Sequence, residues 1–107
     1  MNIVPLHKHP TKMEAQKIVR ELVEKGLVSW SKHAKERMNE RGINMQQVLT
    51  CLAKGNIMES PILANKKGNS GGYEITIERL TAGDYLRVIV CLKFSQTALI
   101  VTAMKIK

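Results

Sequence analysis

The spacing of apolar positions changes character near residue 56. Upstream, apolar residues recur every three or four positions, the period of a helix with one buried face. Ala15, Ile18, Val19 and Leu22 form one such stripe. Thr11 with Glu14 three residues on makes a capping box, and Gly26 supplies a stop, so a first helix is predicted over 11–26. LVSWS (27–31) is too short for a helix and rich in β-formers, which predicts a short strand or extended link. Ser31 caps a second helix that runs to about Arg41 and ends at Gly42. Its apolar face is thin: Ala34 and Met38, with Ile43 just beyond. Asn44 and Gln47 form another capping box, opening a helix over about 45–54 with Met45, Val48, Leu49 and Leu52 inward and a stop at Gly55.

Downstream the period falls to two. IMESPILA (57–64) reads as an edge strand, because Pro61 cannot donate to a ladder. NKKGNSGG (65–72) is a turn. In YEITIERL (73–80), Ile75 and Ile77 share one face and Glu74, Thr76 and Glu78 the other. TAGD (81–84) is a tight turn. YLRVIVCLKF (85–94) is almost continuously apolar, as a central strand should be. Its residues divide into Leu86, Val88, Val90, Leu92 and Phe94 on one side and Tyr85, Arg87, Ile89, Cys91 and Lys93 on the other. SQTA turns the chain into a last strand, LIVTAMKIK (98–107). Short connections between successive strands imply an antiparallel meander. The expected fold is α+β: N-terminal helices followed by a four-stranded antiparallel sheet, the helices packed on one face. Residues 1–10 read as a flexible lead and 11–107 as a single domain.

Charge narrows the partners. Of 107 residues, 17 are Lys or Arg and 9 Asp or Glu, a net charge of +8. A small basic domain suits a polyanion, either nucleic acid or an acidic protein, unless the charge is only a solvated surface. Cys51 and Cys91 each sit in an apolar run with no CxxC spacing, so both read as reduced core thiols. The N-terminus lacks the apolar run of a signal peptide, and no stretch approaches a membrane span, so a cytoplasmic location is expected. His7 and His9 have no third ligand beside them, and no metal or cofactor is expected. Asp84 is the only aspartate, which argues against a two-metal nuclease. Aromatic residues are 4% of the chain, few for a base-stacking platform.

Three features carry chemistry. On the second helix His33, Arg37 and Arg41 recur at intervals of four and stack along one side. Lys32, Glu36 and Glu40 form a neighbouring row that ordinary surface pairing explains. His33 reads either as a satisfied structural histidine or as a proton-transfer group, the one side chain that titrates near neutrality unaided. Arg87 interrupts an apolar strand, where it meets a carboxylate such as Glu78, a ligand phosphate or solvent. Lys66 and Lys67, in the glycine-rich loop, can reach phosphates or tip a hairpin; the loop has no Walker order. Lys105 adds a cation on the last strand.

The run SKHAKERMNERGINMQQVLTCLAKGNI resembles the opening of a bacterial domain family of unknown function. That family's signature is approximately S-x-H-A-x-x-R-M-x-x-R-G-I, followed by a helix ending in G-x-I. RVIV (87–90) and Val101–Thr102 fit its later strands, and the resemblance spans about residues 28–106. Such domains are similar to RelE- and ParE-type toxins. The resemblance implies a small basic toxin domain, a metal-independent endoribonuclease of the mRNA interferase type. Such cleavage needs a base for the 2′-hydroxyl, cations around the phosphorane and an acid for the 5′ oxygen. His33, Arg37 and Arg87 take the catalytic roles. Arg41, Lys66, Lys67 and Lys105 hold RNA, and Lys105 or Tyr85 is a candidate second proton-transfer group. Its partners would be RNA, ribosome-associated or free, and an acidic antitoxin protein. The alternative is a non-catalytic module that holds nucleic acid or an acidic antitoxin-like protein on the same basic face.

Overall fold

Each helix begins on a side-chain cap. The computed structural model describes residues 9–64 and 71–106. Helix α1 (Lys12–Glu24) starts at Thr11, whose hydroxyl accepts from the Glu14 N–H while the Glu14 carboxylate accepts from the Thr11 N–H. Its buried stripe is Ala15, Ile18, Val19 and Leu22. A three-residue strand, β1 (Val28–Trp30), leads into helix α2 (Lys32–Arg41), capped by Ser31 and closed by Gly42. Gly42 has φ +68°, a left-handed conformation that costs a Cβ-bearing residue about 1 kcal/mol or more. Helix α3 (Met45–Lys54) carries the Asn44/Gln47 capping box. Its buried face is Gln47, Val48, Cys51 and Leu52. Met45 is 48% exposed instead of inward and Leu49 is only half-buried, because the buried stripe runs through Gln47 and Cys51 beside Val48 and Leu52.

Among the described residues the sheet has six strands, not four. β2 (Asn56–Ile57) and β3 (Ile62–Ala64) both pair antiparallel with β4 (Gly72–Thr81). They replace the single edge strand expected over 57–64. Pro61 is the physical reason for the break: without an N–H it cannot join the ladder, and β3 starts directly after it. β5 (Asp84–Lys93) lies between β4 and β6 (Ala98–Lys105), both antiparallel to it. β1 is the second addition, pairing parallel with β6 through Val28–Ala98 and Trp30–Ile100. The strand order is β1-β6-β5-β4-β2, with β3 also on β4. The expected meander of antiparallel strands forms the middle of this mixed, open sheet. A bulge at Ile89/Val90 shifts the β5–β6 register.

The core is one cluster between the helices and one face of the sheet. Ile75, Ile77, Leu86, Val88, Val90, Leu92, Ile100 and Ala103 meet the buried stripes of the three helices there. Phe94, expected on that face, lies past the end of β5 and is 48% exposed. The register puts Glu74, Thr76 and Glu78 of β4, Tyr85, Arg87 and Ile89 of β5, and Thr102 and Met104 of β6 on the opposite face. Cys51 and Cys91 are both buried, and neither is in a disulfide. Among the described residues no helix is long and apolar enough to cross a membrane.

Candidate functional site: two cationic clusters around the last strand

Helix α2 begins where β1 stops pairing. Beyond Ile100 the outer edge of β6 has no further β1 residue opposite it, so its carbonyls need other donors. The Ser31 N–H donates to the Ile100 carbonyl at 3.2 Å, and the Ser31 hydroxyl donates to that of Val101 at 3.3 Å. At the other end of α2, Arg41 Nη1 donates to the Ala103 carbonyl at 2.8 Å. The helix thus lies along the open half of β6, with Ala34 and Met38 buried beneath it. Ser31 also caps the helix, accepting from the Ala34 N–H at 2.9 Å.

This anchoring splits the His33–Arg37–Arg41 row. Arg41 turns to the sheet edge. His33 and Arg37 stay on the outer flank, where His33 is exposed and Arg37 half-buried. Arg37 Nε donates to His33 Nε2 at 3.4 Å, and Arg37 Nη1 meets Glu40 Oε1 at 3.0 Å. In this contact the guanidinium donates and Nε2 accepts. The flank therefore presents an exposed imidazole beside a guanidinium.

Arg87 is on the open face of the sheet, opposite Glu78 on β4 and Met104 on β6. Its Nε donates to Glu78 Oε2 at 2.7 Å. Glu78 is only 7% exposed, whereas the Arg87 side chain is 41% exposed. A carboxylate so buried needs its partner, since an unpaired buried charge is costly. The sequence placed Glu78 among the neighbours of Arg87; the register makes it the partner. Arg87 does not join His33 and Arg37: they belong to the outer flank of α2, and it belongs to the uncovered face of the sheet.

Lys105 sits opposite Leu86, on the helix-covered face. Its Nζ lies 3.6 Å from Asp84 Oδ2, which also accepts from Gln47 Nε2 at 3.1 Å. Gln47 reaches the Thr81 carbonyl at 3.3 Å as well. This Gln47–Asp84–Lys105 node ties α3 to both ends of the β4–β5 turn and the tail of β6. The sequence reading missed it, because Gln47 carried only a capping signal and Asp84 only a turn signal. Lys66 and Lys67 lie outside the described residues, as does His7. His9 accepts no role in a cluster: its Nε2 is 2.8 Å from the Pro61 carbonyl, and its ring stands edge-on to Tyr73. Among the described residues no group of three His, Cys, Asp or Glu side chains could hold a metal ion.

The structure therefore gathers the predicted cations into two places. His33 and Arg37 occupy the α2 flank. Arg41, Lys105 and Arg87 surround the end of β6 at residues 103–105, from its edge, its covered face and its open face. The cysteines stand apart from both: burial pushes the Cys51 thiol up to about 12, and burial also raises that of Cys91. Both are poor nucleophiles in the folded chain.

Neither a curated protein nor a solved structure gives a significant match to the chain. Residues 30–105 match a domain of unknown function, DUF4258. That segment takes in the end of β1, helices α2 and α3 and strands β2 to β6, and the chain belongs to this family.

Proposed function

We propose that the chain acts on RNA, as a small basic RelE-like toxin domain that cleaves phosphodiesters without a metal ion. The observation that carries this reading is the pair on the α2 flank, where Arg37 Nε lies 3.4 Å from Nε2 of the exposed His33. An exposed imidazole beside a guanidinium supplies the proton acceptor and the cation that removal of a 2′-hydroxyl proton next to a phosphate requires, once Arg37 turns from Nε2 to the phosphate. The net charge of +8 supports a polyanionic substrate. The order of helices followed by an antiparallel meander is compatible with a RelE- or ParE-type likeness. Arg41, Lys66, Lys67 and Lys105 are assigned to holding the RNA, and an acidic antitoxin is the expected protein partner.

The test is cleavage of a labelled RNA by the purified chain in the presence of EDTA. Cleavage is expected with the unmodified chain, and its loss with His33→Ala while the fold is retained. Equal cleavage by His33→Ala sinks the assignment.

One observation favours a second reading. Arg37, Arg41 and Arg87 each already have a protein acceptor, and Arg87 lies on another face from His33. A non-catalytic module that holds nucleic acid or an acidic antitoxin-like protein needs no convergence of these groups. Binding with a steep salt dependence and no cleavage is its signature.

A further inference from the structure

The Glu78–Arg87 pair has an unusual geometry. Glu78 takes Arg87 through Nε. Among the described residues neither terminal amino group of Arg87 has a protein partner. A guanidinium bound through Nε to a buried carboxylate is held in one plane, and its two outer nitrogens project together as a fork. A phosphate or carboxylate fits that fork with two parallel hydrogen bonds.

The surroundings give the fork a direction. Tyr85 is two residues before Arg87 on β5, so both side chains stand on the open face, about 7 Å apart along the strand. Tyr85 is half-buried and, among the described residues, has no aromatic partner. Opposite Tyr85 on β4 is Leu80, 62% exposed. Met104 is opposite Arg87 on β6. The patch thus sets a flat ring and two apolar side chains beside an anion fork. Phosphate next to a stackable base is the repeating chemistry of a single-stranded nucleic acid. An acidic protein would use the fork but has no base for the ring.

We propose that Tyr85 and Arg87, with Glu78 as the positioning residue, form a nucleotide-sized subsite on the open sheet face: Arg87 forks a phosphodiester and Tyr85 stacks the adjoining base of a single-stranded RNA. The proposal rests on the RNA reading given above but not on catalysis. It moves the RNA track from the α2 flank alone to a path around the end of β6, where Arg41 and Lys105 also sit.

The test uses the full chain and a short fluorescent single-stranded RNA with 2′-O-methyl groups, which cannot be cleaved through the 2′-hydroxyl. Affinity is measured by anisotropy over a range of salt concentrations, with folding checked by urea denaturation. Tyr85→Leu is expected to weaken binding roughly 5- to 100-fold. Arg87→Lys keeps the charge, so the salt slope holds, but loses the fork and about tenfold in affinity. Glu78→Gln keeps an acceptor for Nε and should bind within about threefold of the unmodified chain; Glu78→Ala should fall with Arg87→Lys, again at constant salt slope. Tyr85→Leu alters a half-exposed side chain and keeps the test decisive if Glu78→Ala does not fold.

RNA bound equally well by Tyr85→Leu and Arg87→Lys overturns this proposal and leaves the RNA reading standing. Poly-glutamate competing as well as RNA, with no effect of Tyr85→Leu, overturns it in favour of an acidic protein. Absence of RNA binding by the unmodified chain overturns both. Binding that depends on Tyr85 and Arg87, with no cleavage of unmodified RNA, supports the subsite and removes the catalytic reading.

Discussion

Arg41, the last residue of α2, donates a 2.8 Å hydrogen bond to the backbone carbonyl of Ala103 in the final strand. Nothing in the local sequence announces this bond, which spans 62 positions. It closes the open edge of β6 at the point where β1 has ended, and an unpaired edge is both a stability and an aggregation problem. Replacing Arg41 with Ala is expected to lower stability by about 1 kcal/mol. Arg41→Lys should recover part of that through its own N–H donors. A shift in the urea midpoint at constant slope measures it, and an unchanged midpoint for Arg41→Ala denies the edge role.

The Glu78–Arg87 pair gives a prediction independent of any ligand. Arg87→Ala strands a carboxylate that is only 7% exposed, and should cost about 1–3 kcal/mol. Removing both charges together, as in Glu78→Leu with Arg87→Met, should restore most of the loss. Chemical denaturation of the two single variants and the double variant provides the cycle. Additive losses would mean that the pair is not coupled.

Gly55 ends α3 against β4 with no room for a side chain. A Cβ there would meet the Cys51 carbonyl and come within 2.7 Å of Ile77 Cγ2 and 2.9 Å of the Glu78 carbonyl. Since two of the three neighbours are backbone, they cannot swing away. Gly55→Ala should destabilise the chain by about 1–3 kcal/mol. A thermal midpoint within a degree of the unmodified chain contradicts the packing described here.

Cys51 makes stability sensitive to alkali. Its ordinary value of 9.0 is pushed up to about 12 by burial, so the folded chain keeps a proton that the unfolded chain releases. The stabilising contribution is whole below pH 9.0 and is lost as pH rises toward about 12. The slope is at most about 1.4 kcal/mol per pH unit. Cys51→Ala should flatten urea midpoints measured between pH 9 and 11, after allowance for the lost packing. In the same range the native thiols should react with a thiol reagent only as fast as the chain opens.

The sequence by itself determined every helix of the described residues. Caps, stops and apolar stripes are local, since a hydroxyl three residues from an N–H, or a Gly that tolerates φ +68° at position 42, acts over a few residues. It also determined the meander, because a period of two with short turns leaves little choice of neighbour. It fell short where pairing is decided across the chain. LVSWS could be strand or link until β6 offered it an edge, and Pro61 marked an edge strand without saying that the strand would split. The row His33, Arg37 and Arg41 was legible as a row because helical spacing is fixed. Only the tertiary structure decided that Arg41 leaves it for the Ala103 carbonyl, and that Arg87 looks out from the other side of the sheet beside Glu78. Spacing along a chain fixes which side chains share a face, whereas the register between distant strands and helices fixes which of them meet.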